Sequence, residues 1–200
     1  VESLGAKALV IVTPSGKKRV GAKIEGGFAE AKAELLFEDF NGECSKGEVD
    51  RLVALARDNG CDIVVGVGGG KILDTAKAVA IMATNDGDWW DYIHGGTGGG
   101  KRMAKDGLPL VAIPTTAGTG TEADPFTVIT NGEEKIGGGG EKCFPAVSIV
   151  DPDFMMTVPP HLTAYQGFDA FFHAAEGYLA STSTPMSDMF ALQAIELIGR

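Results

Sequence analysis

The chain has 200 residues, 44% hydrophobic and 22% charged, the ordinary balance of a soluble globular protein. Seventeen basic against 27 acidic side chains give a net charge of −10, which repels phosphate backbones. The basic cluster Lys17-Lys18-Arg19 is too short to reverse that locally, so nucleic acid is not an expected partner. No apolar run approaches the length that a bilayer requires, so a membrane is not expected either.

Residues 7–13 (KALVIVT) form a short, β-branched apolar run, the pattern of a strand buried on both faces. Residues 17–32 carry a weaker helical pattern interrupted at Gly26-Gly27, and residues 34–40 read as the next strand. Ser45 and Glu48 stand at capping-box spacing. Val49, Leu52, Val53, Leu55 and Ala56 then give a helix its apolar face, which ends at Asn59-Gly60. Residues 62–67 are a further buried strand, followed by Gly68-Gly69-Gly70 and a helix over 72–83. Strand patterns at 109–113 and 146–150 complete the set. Residues 85–108 and 137–140 read as glycine-rich loops. Such alternation predicts an α/β fold with a mostly parallel, Rossmann-like sheet and helices on both faces.

The pattern changes at Val158-Pro159-Pro160. Beyond it lie two helical stretches, 162–180 and 187–198, without a strand signal. A proline pair can continue neither a ladder nor a helix interior. The domain junction is therefore placed there: an α/β domain over 1–157, then the beginning of an all-helical domain over 158–200. Three widely spaced cysteines, Cys44, Cys61 and Cys143, include no CxxC pair, which points to reduced thiols in a cytoplasm. The first residues lack the order of a signal peptide and an initiator methionine, so we expect further residues upstream.

Two segments carry chemistry. In residues 62–74 (DIVVGVGGGKILD) a buried strand meets a glycine-only turn and a helix start. Without Cβ atoms, Gly68, Gly69 and Gly70 let the backbone approach an anion, and the helix N-terminus offers unpaired N–H groups and a partial positive charge. This suits a pyrophosphate, although a tight strand-to-helix turn would use the same glycines. A Walker A loop would need glycine at Val65 and Ser or Thr at Ile72, so an NTPase is disfavoured. The second segment is residues 167–176, where Asp169 and His173 lie one helical turn apart and share a face. Spacing alone leaves that pair open between a surface contact and half of a metal site.

The stretch GGGKILDTAKAVA from Gly68, the loop PTTAGTGTE from Pro114 and the helix GFDAFFHAAE from Gly167 together resemble the iron-dependent, or group III, alcohol dehydrogenases. The likeness runs over essentially the whole chain. From Trp89 onward it is nearest the NADPH-dependent butanol dehydrogenase branch, whereas Lys71 and residues 40–48 are similar to the glycerol dehydrogenase branch. The resemblance implies a dehydroquinate synthase-like architecture and an oxidoreductase that moves a hydride between NAD or NADP and a small primary alcohol or aldehyde. A divalent metal, Fe²⁺ or Zn²⁺, would assist. By position, Gly69, Gly70 and Lys71 would meet the pyrophosphate. Asp74 would lie towards the nicotinamide, and Thr115, Thr116, Thr119 and Lys135 would contact the cofactor. Asp169 and His173 would be two of the metal ligands, with no catalytic residue beyond the ligand set. The family's two remaining ligands are later histidines, and His94 and His161 do not occupy their positions. We therefore expect this stretch alone to retain metal weakly and turn over little. Alternatives are a polyol enzyme of the glycerol dehydrogenase type and a non-catalytic dinucleotide holder. For the intact protein the resemblance allows a homo-oligomer.

Members of the family that prefer NAD commonly carry an aspartate just after the first strand, where this chain has Thr13-Pro14-Ser15-Gly16. A carboxylate about 5 Å from a 2′-phosphate would cost about 3 kcal/mol per unit charge at an effective dielectric near 20. Its absence, with Lys17 and Lys18 close by, predicts that NADPH is tolerated or preferred.

Overall fold

The computed structural model describes residues 3–200. Its elements in chain order are β1 (Lys7–Val12), α1 (Pro14–Glu30), β2 (Glu34–Asp39), α2 (Lys46–Asp58), β3 (Ile63–Gly68), α3 (Gly70–Met82), β4 (Leu110–Pro114), β5 (Phe126–Asn131), β6 (Glu134–Gly139), β7 (Val147–Ser148), α4 (Pro160–Leu179) and α5 (Pro185–Ile198). They fall into two compact units, one of residues 1–114 and 121–151, the other of residues 115–120 and 152–200.

In the first unit five strands form a parallel sheet in the order β2-β1-β3-β4-β7. Strand β3 is buried along its whole length and β1 at all but Lys7, which is why both read as continuous apolar runs. The register sets Val12 beside Asp39 and Val67, and Gly68 beside Pro114, so these strands end along one edge. Ligands of open parallel sheets gather at that carboxyl edge. Strand β7 is shorter than its apolar pattern suggests, because only Val147 and Ser148 pair with β4.

Helix α1 starts earlier than the periodicity indicates. Thr13 is its N-cap, accepting from the Gly16 N–H at 3.0 Å, and Pro14 takes the first turn, where no N–H is needed. Gly26 and Gly27 do not interrupt it. Each costs about 1 kcal/mol relative to alanine, but buried Val20 and Phe28 anchor the helix on both sides of the pair. Ser45 caps α2 by accepting from the Glu48 N–H. The reciprocal half of the capping box is not made, since the Glu48 carboxylate is taken by Asn41 and Arg51.

The clearest departure from the sequence reading is an antiparallel hairpin, β5–β6, joined through Gly132 at φ +60°. Gly137–Gly139, expected in a loop, are strand residues. The strand passes so close to Ile93 and Trp89 that a Cβ on Gly138 would collide with the Ile93 side chain. Glycine here serves close packing. Ile129 and Thr127 of β5 are buried, and α3 packs beneath the hairpin. The long segment before β4 is also tied down: Trp89, Trp90, Tyr92 and Ile93 are buried, and the Asn85 amide bridges to the Ile81 and Lys105 carbonyls.

In the second unit α4 and α5 pack against each other, yet neither buries a residue fully. Phe168, Phe172, Met189 and Phe190 are all more than half exposed. No helix among the described residues is long and apolar enough to cross a membrane.

Candidate cofactor and metal sites

In the first unit, the residues expected to hold a dinucleotide surround the start of α3. Its N-cap is Gly69, in extended conformation, and no side chain caps the helix. The Ile72 and Leu73 N–H groups donate to the Gly69 carbonyl, which leaves the Gly70 and Lys71 N–H groups to a ligand or to water. The end of β3 also needs its glycines: a Cβ on Gly68 would collide with Ile72, and one on Gly66 would sit 2.8 Å from the Ala76 Cβ. The strand and helix can approach this closely only without side chains there, and an anion could then reach the backbone. The arrangement fits a pyrophosphate.

Asp74 and Lys71 have partners that the sequence does not announce. The Asp74 carboxylate accepts from the Thr121 hydroxyl at 2.6 Å and from the Val128 N–H at 2.8 Å. Burial raises its pKa above the ordinary value, and those hydrogen bonds only partly offset the desolvation. Lys71 donates to Glu43 at 2.5 Å. Lys135 lies on exposed β6 opposite Thr130, close enough to Glu43 to help hold that carboxylate in its charged form.

Three features here escaped sequence reasoning. Lys77 is completely buried, its ammonium donating to Thr121 Oγ1, Asp124 Oδ1 and the Phe126 carbonyl at 2.7–2.8 Å. This network fastens α3 to the segment that leads into β5. Asp39, at the end of β2, places an exposed carboxylate beside the end of β1. Glu43 is the third. The cysteines supply no nucleophile: burial pushes the Cys44 thiol up to about 12 and the Cys143 thiol up to about 11, and it raises Cys61 as well.

In the second unit, the threonine loop and α4 meet. Thr115 is buried, Thr116 half-buried and Thr119 exposed. Gly118 adopts φ +113°, and a Cβ there would lie 2.8 Å from the Gln166 carbonyl and 3.2 Å from the Asp169 carboxylate. Only glycine lets the loop lie against the helix this way. The Gly118 carbonyl is 3.2 Å from His173 Nδ1. A carbonyl can only accept, so Nδ1 carries the proton and the Nε2 lone pair is left for an electrophile. Backbone carbonyls orient metal-binding histidines in this way.

Asp169 and His173 fit as one carboxylate and one imidazole ligand of a divalent ion. They do not enclose one: among the described residues no group of three or more His, Cys, Asp or Glu could hold a metal. Beside them lies an apolar cavity of about 740 Å³, bounded by Ala117, Thr163, Gly167 and Phe171 among others.

Comparison with known proteins bears on both units. The family model described as iron-containing alcohol dehydrogenase matches residues 1–152, and its C-terminal counterpart matches residues 163–200. Long-chain-alcohol dehydrogenase 1 of Geobacillus thermodenitrificans is 36% identical over 203 residues, covering 100% of this chain and 51% of the relative. The NAD-dependent methanol dehydrogenase of Bacillus methanolicus is 36% identical over 203 residues, covering 99% and 52%. Among solved structures, a 1,3-propanediol oxidoreductase superposes with a TM-score of 0.90 at 36% identity, covering 98% of this chain and 51% of that one. The NADH-dependent butanol dehydrogenase A of Thermotoga maritima gives 0.86 at 30% identity, covering 96% and 48%. The chain thus spans about half the length of the relatives it matches.

Proposed function

The chain belongs to the iron-containing alcohol dehydrogenase family, and from that premise we propose that it is the dinucleotide-holding part, with half of the metal site, of a dehydrogenase acting on a small primary alcohol or aldehyde. The observation that carries this reading is the N-terminus of α3, without a side-chain cap, behind a strand end where Gly66 and Gly68 leave no room for a Cβ. A bound nicotinamide dinucleotide would supply the hydride donor or acceptor, and a divalent ion, Fe²⁺ or Zn²⁺, would supply Lewis-acid polarisation of the substrate oxygen.

The protein's own contribution is binding and orientation. Gly68, Gly69 and Gly70 would receive the pyrophosphate on backbone N–H groups, with Lys71 and Lys135 as the cations within reach. Buried Asp74 holds Thr121 and β5 in place beside them. Thr115, Thr116 and Thr119 offer hydroxyl donors. Asp169 and His173 would ligate the metal, with His173 turned by Gly118 so that Nε2 is the ligating atom. In this reading residues 1–157 form the dinucleotide domain and 158–200 begin the helical one. Three unpaired, buried cysteines agree with a reducing, cytoplasmic setting. The partner would be the alcohol or aldehyde, with neither nucleic acid nor membrane involved, and the relatives' names, among them a 1,3-propanediol dehydrogenase of Klebsiella pneumoniae, agree with that substrate class.

The test is binding rather than turnover. NADH added to the 200-residue chain should bind saturably, and excess ADP-ribose should displace it. Metal content after dialysis should fall well below one ion per chain, because the described residues bring only Asp169 and His173 to the site. Stoichiometric metal with robust alcohol oxidation by residues 1–200 would overturn the half-site reading. Absence of dinucleotide binding would overturn the proposal itself.

A further inference from the structure

Two sequence features set the region around the phosphate loop apart: lysine at position 71 and the stretch from Phe40 to Glu48. They lie 28 residues apart and the structure joins them. Lys71 Nζ donates to Glu43 Oε2, and the other carboxylate oxygen of Glu43 is 3.4 Å from Thr130 Oγ1. The loop carrying Glu43 is stitched to β5, since the Thr130 N–H donates to the Cys44 carbonyl at 2.9 Å and Ser45 forms a bridge with Thr130. A carboxylate is thereby fixed at the mouth of a turn otherwise built to receive an anion, and it occupies a cation at that mouth.

We propose that Glu43 sets the affinity of the dinucleotide site by competing with the pyrophosphate for Lys71. This deepens the function proposed above and rests on it. On binding, Lys71 would exchange the Glu43 carboxylate for a phosphate oxygen, and Glu43 would remain on Thr130 near Lys135. A hydrogen-bonded ion pair beside the turn thus acts as a brake that each dinucleotide must release. Both side chains are about half exposed, at 56% and 45%. The expected effect is therefore that of a surface pair, about three- to fivefold in affinity, and it should fade at high salt, where the Debye length falls to about 3 Å.

The experiment is a double-substitution cycle on the 200-residue chain, with dissociation constants for NADH and ADP-ribose and with adenosine as the control lacking phosphate. Glu43→Gln should tighten NADH and ADP-ribose about three- to fivefold at low salt and leave adenosine unchanged. Lys71→Met should weaken both phosphate ligands, and by more in the Glu43→Gln background than alone, because there the ammonium is no longer engaged. Glu43→Gln binding that is unchanged or weaker, equal tightening of adenosine, or strictly additive effects would each overturn the competition. Loss of structure would not produce tighter binding, so a gain cannot come from misfolding. If the unsubstituted chain binds neither NADH nor ADP-ribose, the functional reading fails and this inference falls with it. If it binds both and only the cycle fails, the functional reading stands alone.

Discussion

Replacing Lys77 with methionine should destabilise the first unit, for a reason visible only in three dimensions. The ammonium has no solvent access and donates three hydrogen bonds, to Thr121, Asp124 and the Phe126 carbonyl. Methionine keeps most of the volume but takes the ammonium from all three acceptors, leaving Asp124 Oδ1 with the Phe126 N–H alone. Removing one partner of a buried pair costs about 3–5 kcal/mol. Asp124 is 38% exposed and can recover water, which brings the expectation down to about 3 kcal/mol. For a chain of this size each kcal/mol moves the midpoint by about 2–4 °C, so a fall of about 6–12 °C is expected. Both tryptophans, Trp89 and Trp90, lie in the first unit and are buried, so fluorescence-detected unfolding reads that unit alone. Adding Asp124→Asn to Lys77→Met should recover part of the loss. A midpoint within 2 °C of the unsubstituted protein, by the reasoning above, would show that the network contributes nothing.

Glu48 gives a pH prediction. Burial alone would raise its pKa, but the Arg51 guanidinium and the Asn41 amide outweigh that and hold it below the ordinary 4.5. A depressed carboxylate stabilises the fold above its unfolded pKa, and that contribution is lost as pH falls through the folded value. Glu48→Gln should therefore cost stability at pH 7, with the gap to the unsubstituted protein closing below about pH 4.5 in urea titrations; a gap independent of pH would contradict this. Gly118→Ala forces a Cβ against the Gln166 carbonyl at a left-handed φ. Nitrogen-15 spectra should then lose the Nδ1-protonated tautomer of His173 that the unsubstituted chain displays, and an Nε2-protonated ring in the latter would refute the assignment. Without a carboxylate after β1, NADPH should bind at least as well as NADH. NADH binding tenfold or more tighter than NADPH would mean that another acidic group, with Asp39 the nearest candidate, reads the ribose.

What could be seen in the sequence was local. Strands β1 and β3 announce themselves because burial on both faces demands uninterrupted apolar residues, and Asp169 and His173 because a helix brings i and i+4 together. The hairpin stayed hidden since Gly137–Gly139 look like a loop unless Ile93 and Trp89 are known to press on that strand. Asn131-Gly132, directly after the β-branched run Thr127–Thr130, was the available signal. Missing the hairpin meant missing the site's support as well. In the sequence Lys77 reads as an ordinary helix-surface lysine, and only β5 and the residues before it, closing over it, make it a buried one. The same holds for Glu43 on Lys71, 28 residues apart, and for Gly118 beside His173, 55 apart. Nothing in local periodicity encodes such contacts.

The central claim is that the start of α3 receives a pyrophosphate, and Gly69→Asp tests it most directly. Gly69 has φ −82°, a conformation open to aspartate, and it is an N-cap without a side chain of its own. An aspartate there should cap the helix and hold or raise the melting temperature, while its carboxylate fills the anion site and repels a second anion. The account predicts an unfolding midpoint that does not fall, together with NADH affinity reduced at least about tenfold, about 1.4 kcal/mol. A variant that melts no lower and binds NADH as tightly as the unsubstituted chain would contradict it.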